Sequence, residues 1–238
     1  MCGRYFRRSD KQRIAEAFRL GLPTTFEILP TYNVAPQTFQ PVVRLNADTG
    51  QRELAQLRWG LVPFWSKDSK VAFSTINAKA ETLATSPTFR EAFKRRRCLI
   101  PLDGFYEWQT ISAKVKQPYA VSLKSGALFA VAGVWDRWKD KATGHCLETY
   151  TLITTDPNEL MEPFHNRMPV IVRPADFERW MAPPDPAQLA PAQLPIDLLR
   201  PYPDEEMAAW KVDPAVGNVR NDSPELIAHA APEQPSLW

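Results

Sequence analysis

Proline is the residue type that most restricts what this chain can fold into. The 238 residues include 23 prolines, and fourteen of them lie from Pro163 onward. A proline fixes φ and lacks an amide hydrogen, so it ends helices and is excluded from the middle of sheets. The sequence therefore predicts short elements and much irregular surface, most of all in its last third.

Between the prolines, β-branched and apolar runs bounded by turn residues indicate strands. The clearest runs lie at residues 41–45, 52–59, 118–123, 128–138, 147–155 and 170–172. Short helices or helical turns are predicted at residues 9–20, 76–82, 86–95, from 156 to 159 onward, 177–181 and 194–199. There is no internal repeat and no linker. The expected architecture is a single α+β domain over residues 1–238, built on a curved, largely antiparallel, barrel-like sheet with short helices at its margins.

The cysteines favour a reducing compartment and no metal. Cys2, Cys98 and Cys146 are odd in number and far apart, with no CxxC motif and no histidine at zinc-ligand spacing. We expect no disulfide framework, metal or other cofactor, and a location in the cytoplasm or nucleoid. Neither a signal peptide nor a membrane-length apolar run is present, so no membrane partner is expected. With a net charge of +2, nucleic-acid binding needs a local basic patch.

Cys2 becomes chemically unusual if Met1 is removed. It then carries an α-amine and a thiol on adjacent carbons, and the amine, with an ordinary pKa of about 8, is partly neutral at neutral pH. Such an aminothiol condenses with an aldehyde to a Schiff base, on which the thiol closes a thiazolidine ring. Taken alone, Met1-Cys2 is better explained as an ordinary start of a sequence, so the reactive interpretation needs support from the rest of the chain.

Glu107 is a charged residue inside an apolar strand. Alternation places Tyr106 and Trp108 on one face of that strand and Phe105 and Glu107 on the other. Two environments remain open for the carboxyl group. One is an apolar pocket, which raises the carboxyl pKa and makes the group a proton donor and acceptor near neutrality. The other is an edge strand, with the side chain in water.

Other residues leave similar alternatives open. His165 suits a general acid or base, a phosphate ligand or an ordinary surface histidine. Asn77 suits an orienting amide or a local backbone contact. The aromatic pair Phe64 and Trp65 suits a binding loop or a core anchor, and the basic run at 94–97 suits a solvated face, a helix C-terminus or phosphate contacts. The absence of a Ser-His-Asp pattern, a GxSxG elbow, a P-loop and a dinucleotide fingerprint disfavours the common hydrolases, kinases and dehydrogenases.

Eight ordered segments, taken together, resemble a single family. They are Met1-Cys2-Gly3-Arg4-Tyr5, Tyr32-Asn33-Val34-Ala35-Pro36, Arg58-Trp59-Gly60-Leu61-Val62-Pro63, Ile76-Asn77-Ala78-Lys79-Ala80-Glu81-Thr82, Arg97-Cys98-Leu99-Ile100-Pro101, Asp103-Gly104-Phe105-Tyr106-Glu107-Trp108, Phe164-His165-Asn166-Arg167-Met168-Pro169 and Ala215-Val216-Gly217-Asn218-Val219-Arg220. The set resembles the SOS-response-associated peptidase (SRAP) family, whose members are also described as abasic-site processing proteins. The resemblance covers nearly the whole chain.

The resemblance implies a function in the DNA damage and SOS responses. It implies that Met1 is removed, that the protein recognises abasic sites in single-stranded DNA, and that Cys2 forms a covalent thiazolidine with C1′ of the ring-opened deoxyribose, which shields the site. The Schiff base that precedes the thiazolidine acidifies the neighbouring C2′ hydrogens, so strand cleavage is expected as a lyase side activity. Self-removal of Met1, a peptidase activity, would use the same residues. We expect a monomer that acts on DNA without a cofactor.

The resemblance also assigns site residues, position by position. Cys2, Asn77, Glu107 and His165 match the family's active-site residues. The residues that fall in segments lining its DNA path are Arg4, Asn33, Trp65, Lys79 and Arg167. Lys79 stands where the family more often has arginine, and a lysine keeps the charge but loses bidentate phosphate geometry.

Two other functions remain open on the sequence. The first is a cysteine hydrolase or autoprotease, with Cys2 as nucleophile and Glu107 or His165 as base. The second is a non-covalent reader of modified DNA bases, in which tryptophans bind a flipped base and Cys2 is incidental. A crosslinking protein forms a heat-stable adduct with abasic DNA, a hydrolase turns over peptides without DNA, and a reader forms no covalent product.

Overall fold

A computed structural model describes residues 2–21, 26–46, 48–182 and 194–230. Met1, whose removal is expected, lies outside the described residues. In chain order the strands and α-helices are β1 (Tyr5–Arg7), α1 (Lys11–Phe18), β2 (Thr31–Val34), β3 (Phe39–Leu45), β4 (Arg52–Trp59), β5 (Asn77–Lys79), α2 (Arg90–Arg95), β6 (Arg97–Leu102), β7 (Gly104–Thr110), β8 (Lys116–Leu123), β9 (Phe129–Lys139), β10 (Cys146–Thr155), β11 (Met168–Pro169), β12 (Ile171–Val172), α3 (Phe177–Met181) and β13 (Met207–Lys211). None of the helices in these ranges is both long and apolar enough to cross a membrane.

Five strands close into a barrel. Their order is β10-β4-β3-β6-β9, and β9 pairs with β10 again, which completes the ring. All pairings in the ring are antiparallel except that of β4 with β10. Alternate side chains fill the interior, among them Trp59, Ile100 and Leu152, all fully buried. The expected curved, largely antiparallel, barrel-like sheet in an α+β fold is therefore confirmed.

The helices cover the outside of the barrel. Phe18 of α1 stacks on Phe177 of α3 with ring centroids 5.0 Å apart, and Trp180 of α3 lies 6.0 Å from Phe93 of α2. Asp10 caps the start of α1, because its side chain accepts a hydrogen bond from the Arg13 amide at 2.9 Å. Burying each of these large rings stabilises the fold by roughly 2–3 kcal/mol.

A second, five-stranded antiparallel sheet in the order β13-β8-β7-β1-β2 packs beside the barrel. Asp103 makes the turn from β6 into β7, and its buried carboxylate accepts from the Ser9 amide at 2.8 Å and the Ser9 hydroxyl at 3.0 Å. A Cβ on Gly104 would lie 2.1 Å from the Phe6 ring, so only glycine allows β7 to pair closely with β1. This sheet carries Cys2 and Glu107 against the barrel.

Several local predictions were wrong. Residues 77–79 form strand β5 rather than a helix, because their backbone pairs with β10, and only Ala80–Thr82 turn into a 3-10 helix. Helix α2 begins at Arg90, four residues after Ser86, whose carbonyl instead closes turns with the amides of Phe89 and Arg90.

The predicted helix from residue 156 is a series of turns. The Asn158 carboxamide oxygen accepts from the Met161 amide at 3.0 Å, while its nitrogen donates to the Tyr202 carbonyl at 2.7 Å. The side chain thereby ties this segment to a distant loop instead of allowing a continuous helix. The basic run 94–97 is also not a solvated face throughout, since Arg97 is buried.

Candidate active site around Cys2

Cys2 is fully buried immediately before β1, between the second sheet and the barrel. Its thiol points at the Arg4 carbonyl, with Sγ and O 3.8 Å apart. The Arg4 carbonyl also accepts a hydrogen bond from the Tyr106 amide at 3.0 Å. This bond extends the pairing of β1 with β7 towards the N-terminus and places Cys2 beside Glu107. Burial raises the pKa of the Cys2 thiol far above its ordinary value, so the thiol is neutral in the folded protein.

Glu107 lies on β7, a central strand between β8 and β1, and only 4 % of its surface is exposed. The edge-strand alternative is therefore excluded. Burial raises the pKa of Glu107 to about 7, so the carboxyl gains and loses its proton near neutral pH. After burial, the charge of Glu107 is the next largest factor that raises the pKa of the Cys2 thiol, which places the two groups within electrostatic reach.

Asn77, the first residue of β5, reaches Cys2 from the barrel. Its Nδ2 donates to the Cys2 carbonyl at 3.0 Å, and the pairing of Asn77 with Leu152 fixes its backbone on β10. Its Oδ1 atom is buried and has no hydrogen-bond partner among the described residues. A buried acceptor without a partner costs about 1–3 kcal/mol, and such a cost is commonly retained where a ligand supplies the missing donor.

His165 lies in the turn that leads into β11. Its Nδ1 accepts from the Arg167 amide at 3.0 Å, so the neutral imidazole carries its proton on Nε2. Burial lowers the pKa of His165, which favours that neutral form. The adjacent Phe164 ring lies 4.6 Å from Tyr119, the cross-strand partner of Glu107, and this contact ties the turn to the sheet that carries Glu107.

Two of the predicted DNA-binding residues shape a loop of the protein itself. Arg4 donates to the Asn33 side-chain oxygen at 2.6 Å and to the Val216 carbonyl at 2.9 Å. Asn33 is buried, and its amide group donates to the carbonyls of Val216, Asn218 and Asn221. Both side chains thus hold residues 216–221 beside the site, and direct DNA contact by either stays a prediction.

Arg167 and Lys79, two further predicted DNA-binding residues, occupy contrasting positions. Arg167 is 9 % exposed, and its guanidinium makes a bidentate pair with Glu81 at 2.8 and 2.9 Å and reaches Asp156 at 3.1 Å. These carboxylates compensate its charge, so in this conformation it braces β5 and the turn after β10. Lys79, at the end of β5, is exposed.

Trp65 stands on an exposed loop with a rigid base. Its side chain is 53 % exposed, next to Phe64 at 54 %, so neither is a core anchor. The loop is held from below, because the Phe64 amide donates to Asp136 at 3.0 Å and the Trp138 indole donates to the Ser66 carbonyl at 2.8 Å. An exposed ring on a fixed support suits stacking on an unpaired base.

One feature of the site was missed at the level of sequence. The hydroxyls of Tyr5 and Tyr150 share a buried hydrogen bond of 2.9 Å, and the Tyr5 ring lies 5.2 Å from Trp59. These side chains belong to the same packed cluster as Cys2 and form its floor. The tyrosine hydroxyls inside two otherwise apolar strands were the sequence signal that could have predicted this buried hydrogen bond.

The described residues contain no group of three or more His, Cys, Asp or Glu side chains placed to hold a metal ion. The candidate site contains four groups that can take part in chemistry. They are the neutral thiol of Cys2, the carboxyl group of Glu107, which titrates near neutrality, the unpartnered amide oxygen of Asn77 and the neutral imidazole of His165. Such groups suit proton transfer to and from a reacting carbonyl compound rather than attack by a preformed thiolate.

Comparisons with known proteins identify the family of this chain. The SOS response associated peptidase (SRAP) family matches residues 1–219. The abasic site processing protein YoqW of Bacillus subtilis (strain 168) is 43% identical over 229 residues, which cover 95% of this chain and 99% of that protein. The abasic site processing protein HMCES of Gallus gallus is 34% identical over 227 residues, covering 83% of this chain and 66% of that one. A crystal structure of a Bacteroides thetaiotaomicron protein superposes with a TM-score of 0.83 at 28% identity and covers 97% of this chain and 100% of its own.

Proposed function

This chain belongs to the SOS response associated peptidase (SRAP) family, and we propose that it recognises abasic sites in single-stranded DNA and joins them covalently through Cys2 once Met1 has been removed. The product is a thiazolidine between Cys2 and C1′ of the ring-opened sugar, which shields the site during the DNA damage response. The observation that carries the proposal is the pair formed by Cys2 and the buried Glu107, whose pKa burial raises to about 7.

The first half of the reaction uses the amine. The free α-amine of Cys2 attacks the C1′ aldehyde, which gives a carbinolamine. Protonated Glu107 then gives its proton to the departing hydroxyl, and water leaves to form the Schiff base. A carboxyl group with a pKa near neutrality is the acid best suited to this step, because a useful fraction of it is protonated at neutral pH.

The second half uses the thiol. Burial raises the pKa of the Cys2 thiol, so it enters the reaction protonated and needs a base. Glu107 has just become a carboxylate and accepts the thiol proton as sulfur bonds to C1′, and the imine nitrogen becomes the ring amine. The aldehyde and the aminothiol thus become a thiazolidine and one water, and the carboxyl group is ready for proton exchange again.

Asn77 and His165 position the reacting groups in this proposal. Asn77 holds the Cys2 carbonyl, and its unpartnered Oδ1 accepts a hydrogen bond from the Cys2 amine or a sugar hydroxyl. The Nε2–H of His165 donates to the sugar ring oxygen during ring opening or to the 3′ phosphate. Trp65 stacks on an unpaired base, and Lys79 contacts the phosphate chain.

Two further activities are part of the proposal. A Schiff base at C1′ acidifies the neighbouring C2′ hydrogens, so slow strand cleavage by β-elimination accompanies crosslinking until the thiazolidine removes the cation. Self-removal of Met1 would use the same Cys2 and Glu107. A general cysteine hydrolase is disfavoured, because burial raises the pKa of the Cys2 thiol and leaves no preformed thiolate to attack a peptide bond.

The test is an adduct assay with processed protein and single-stranded DNA that contains one abasic site. We expect a heat-stable adduct whose intact mass equals protein plus DNA minus one water. Cys2→Ala and a variant with extra residues before Cys2 should form no stable adduct. The exposed Cys146→Ala is the matched control and should react like the wild type. A stable adduct in Cys2→Ala would disprove the thiazolidine mechanism.

A further inference from the structure

A basic cavity lies at the mouth of the barrel opposite to Cys2. It encloses about 590 Å³, within the size range of small-ligand sites, and its lining includes Arg95, Arg96, Arg97, Trp135 and Arg137. These residues come from the end of α2, the start of β6 and the later half of β9. Asn77, which holds Cys2, instead pairs with the later half of β10, which runs antiparallel to β9. None of the residues assigned to the reaction at Cys2 lines this basic cavity.

Two positive charges in the basic cavity lack a carboxylate partner. Arg97 donates only to carbonyls, those of Trp180, Phe93, Lys94 and Ala182. Burial lowers its pKa only to about 10, so it remains cationic at neutral pH. Within the described part of the chain, neither Arg97 nor the exposed Arg137 has a carboxylate within the 4.0 Å that defines an ion pair.

The acidic side chains near the basic cavity are already paired with arginines. Asp136 pairs with Arg96 at 3.0 Å, and Glu91 lies 4.0 Å from Arg95. Glu53 and Glu148 both pair with Arg44, at 2.7 and 3.0 Å. None of the described residues that line the basic cavity is acidic. Arg97 and Arg137 therefore leave the potential there positive, which favours an anion.

The floor of the basic cavity is fixed before any ligand arrives. The Arg96 carbonyl accepts from the Trp135 amide at 2.9 Å, and the Arg44 guanidinium covers one face of the Trp135 ring at 4.2 Å from its centroid. The Nε of Arg96 is buried and has no hydrogen-bond partner among the described residues. A buried donor without an acceptor is costly, and an anionic ligand would supply the acceptor.

We propose that the basic cavity binds a phosphorylated nucleoside. The phosphate is held by the guanidinium groups of Arg95, Arg96 and Arg137, which match phosphate oxygens with paired donors, while Arg97 contributes charge from below. The base lies against Trp135. The ligand is either a free nucleotide or one nucleotide unit of a DNA strand, and both present the same phosphate, sugar and ring.

Calorimetric titration with deoxyadenosine monophosphate tests this site separately from the crosslinking reaction. We expect saturable binding to the wild type and to Cys2→Ala. The double variant Arg95→Gln/Arg137→Gln should bind at least about tenfold more weakly, since two charge-assisted contacts are lost. Both side chains are exposed, so the variant should fold, and its thermal unfolding checks this. The matched control, Arg90→Gln/Lys139→Gln, removes the same charge from exposed positions outside the cavity lining and should bind like the wild type.

Further titrations distinguish the sources of the ligand. Inorganic phosphate should bind more weakly than the nucleotide, and equal affinity would overturn the nucleoside part of the proposal. A short single strand without an abasic site should lose affinity in the cavity variant if DNA is the source, and should bind unchanged if a free nucleotide is. Absence of saturable nucleotide binding, or equal weakening in cavity and control variants, would overturn the site. Adduct formation by the cavity variant reports separately on the function proposed for Cys2.

Discussion

The two ends of the barrel, one beside Cys2 and the other at the basic cavity, show two outcomes of burying an ionisable group. At the Cys2 mouth, which is the end beside Cys2, burial raises the pKa of Glu107 to about 7, so its proton is exchangeable near neutrality. At the basic cavity, burial lowers the pKa of Arg97 to about 10, which still leaves it charged. Arginine begins much further from neutral pH, and four backbone carbonyls stabilise its charged form. One mouth is thus suited to proton transfer and the other to holding a fixed charge.

The largest effect is expected from a substitution that removes the proton-transferring group. Glu107→Gln should slow adduct formation by roughly 10²–10⁴-fold, the usual contribution of general acid–base catalysis, because the amide can neither give nor take the proton. Its affinity for a strand without an abasic site should not change. Single-turnover adduct kinetics and fluorescence anisotropy measure the two quantities. Glu205→Gln, an exposed carboxylate on the 3-10 helix 204–206, is the control, and wild-type kinetics in Glu107→Gln would give Glu107 a purely structural role.

The next prediction concerns the pH dependence of stability. The pKa of Glu107 rises from 4.5 to about 7 on folding, so the folded protein holds this proton more tightly than the unfolded chain. The resulting stabilisation is fully present below the unfolded pKa and is lost as the pH rises through the folded one, with a size on the order of 3 kcal/mol. Urea unfolding between about pH 5 and pH 8 should show a steeper loss for the wild type than for Glu107→Gln. Parallel curves for the two proteins would contradict the raised pKa.

A smaller effect, on stability, is expected from a substitution at the basic cavity. Arg97→Gln leaves several buried carbonyls without a donor and should lower the free energy of unfolding by roughly 2–3 kcal/mol. The adduct rate of the protein that remains folded should not change, because Arg97 lies away from Cys2. Urea unfolding and adduct kinetics on the same samples measure both. Arg95→Gln, at an exposed neighbouring position, should leave stability nearly unchanged. A loss of adduct rate in folded Arg97→Gln would show that the two mouths are coupled.

The smallest expected effect tests recognition rather than chemistry. Trp65→Ala should weaken binding of single-stranded DNA by about 1–2 kcal/mol, because it removes one stacking surface. The adduct rate at saturating DNA should stay close to that of the wild type. Ile111→Ala removes another exposed apolar side chain, from the turn after β7, and serves as the control. Equal binding by Trp65→Ala and the wild type would remove Trp65 from the DNA path.

Much of the fold could be predicted because its strands have a strong local signal. The alternation on β7 separates Glu107 from Tyr106 and Trp108 correctly, and the predicted runs at residues 41–45 and 52–59 pair as β3 and β4. The short strands β1, β2 and β13 were missed, since none of them is an unbroken β-branched run like the one that marks β12. Such segments become strands only when a partner supplies their hydrogen bonds.

The sequence by itself determined the candidate site residues, the face that Glu107 occupies on its strand and membership of the family. Only the tertiary structure decided which of these residues are buried, paired or free to react. Glu107 titrates near neutrality because β8 and β1 flank its strand, and Arg167 is braced because Glu81 and Asp156 come to it from other segments. Desolvation and charge pairing depend on neighbours that are distant in the chain, so local patterns do not encode them. The burial of the Cys2 thiol and the basic cavity are therefore properties of the closed barrel and the sheet packed beside it.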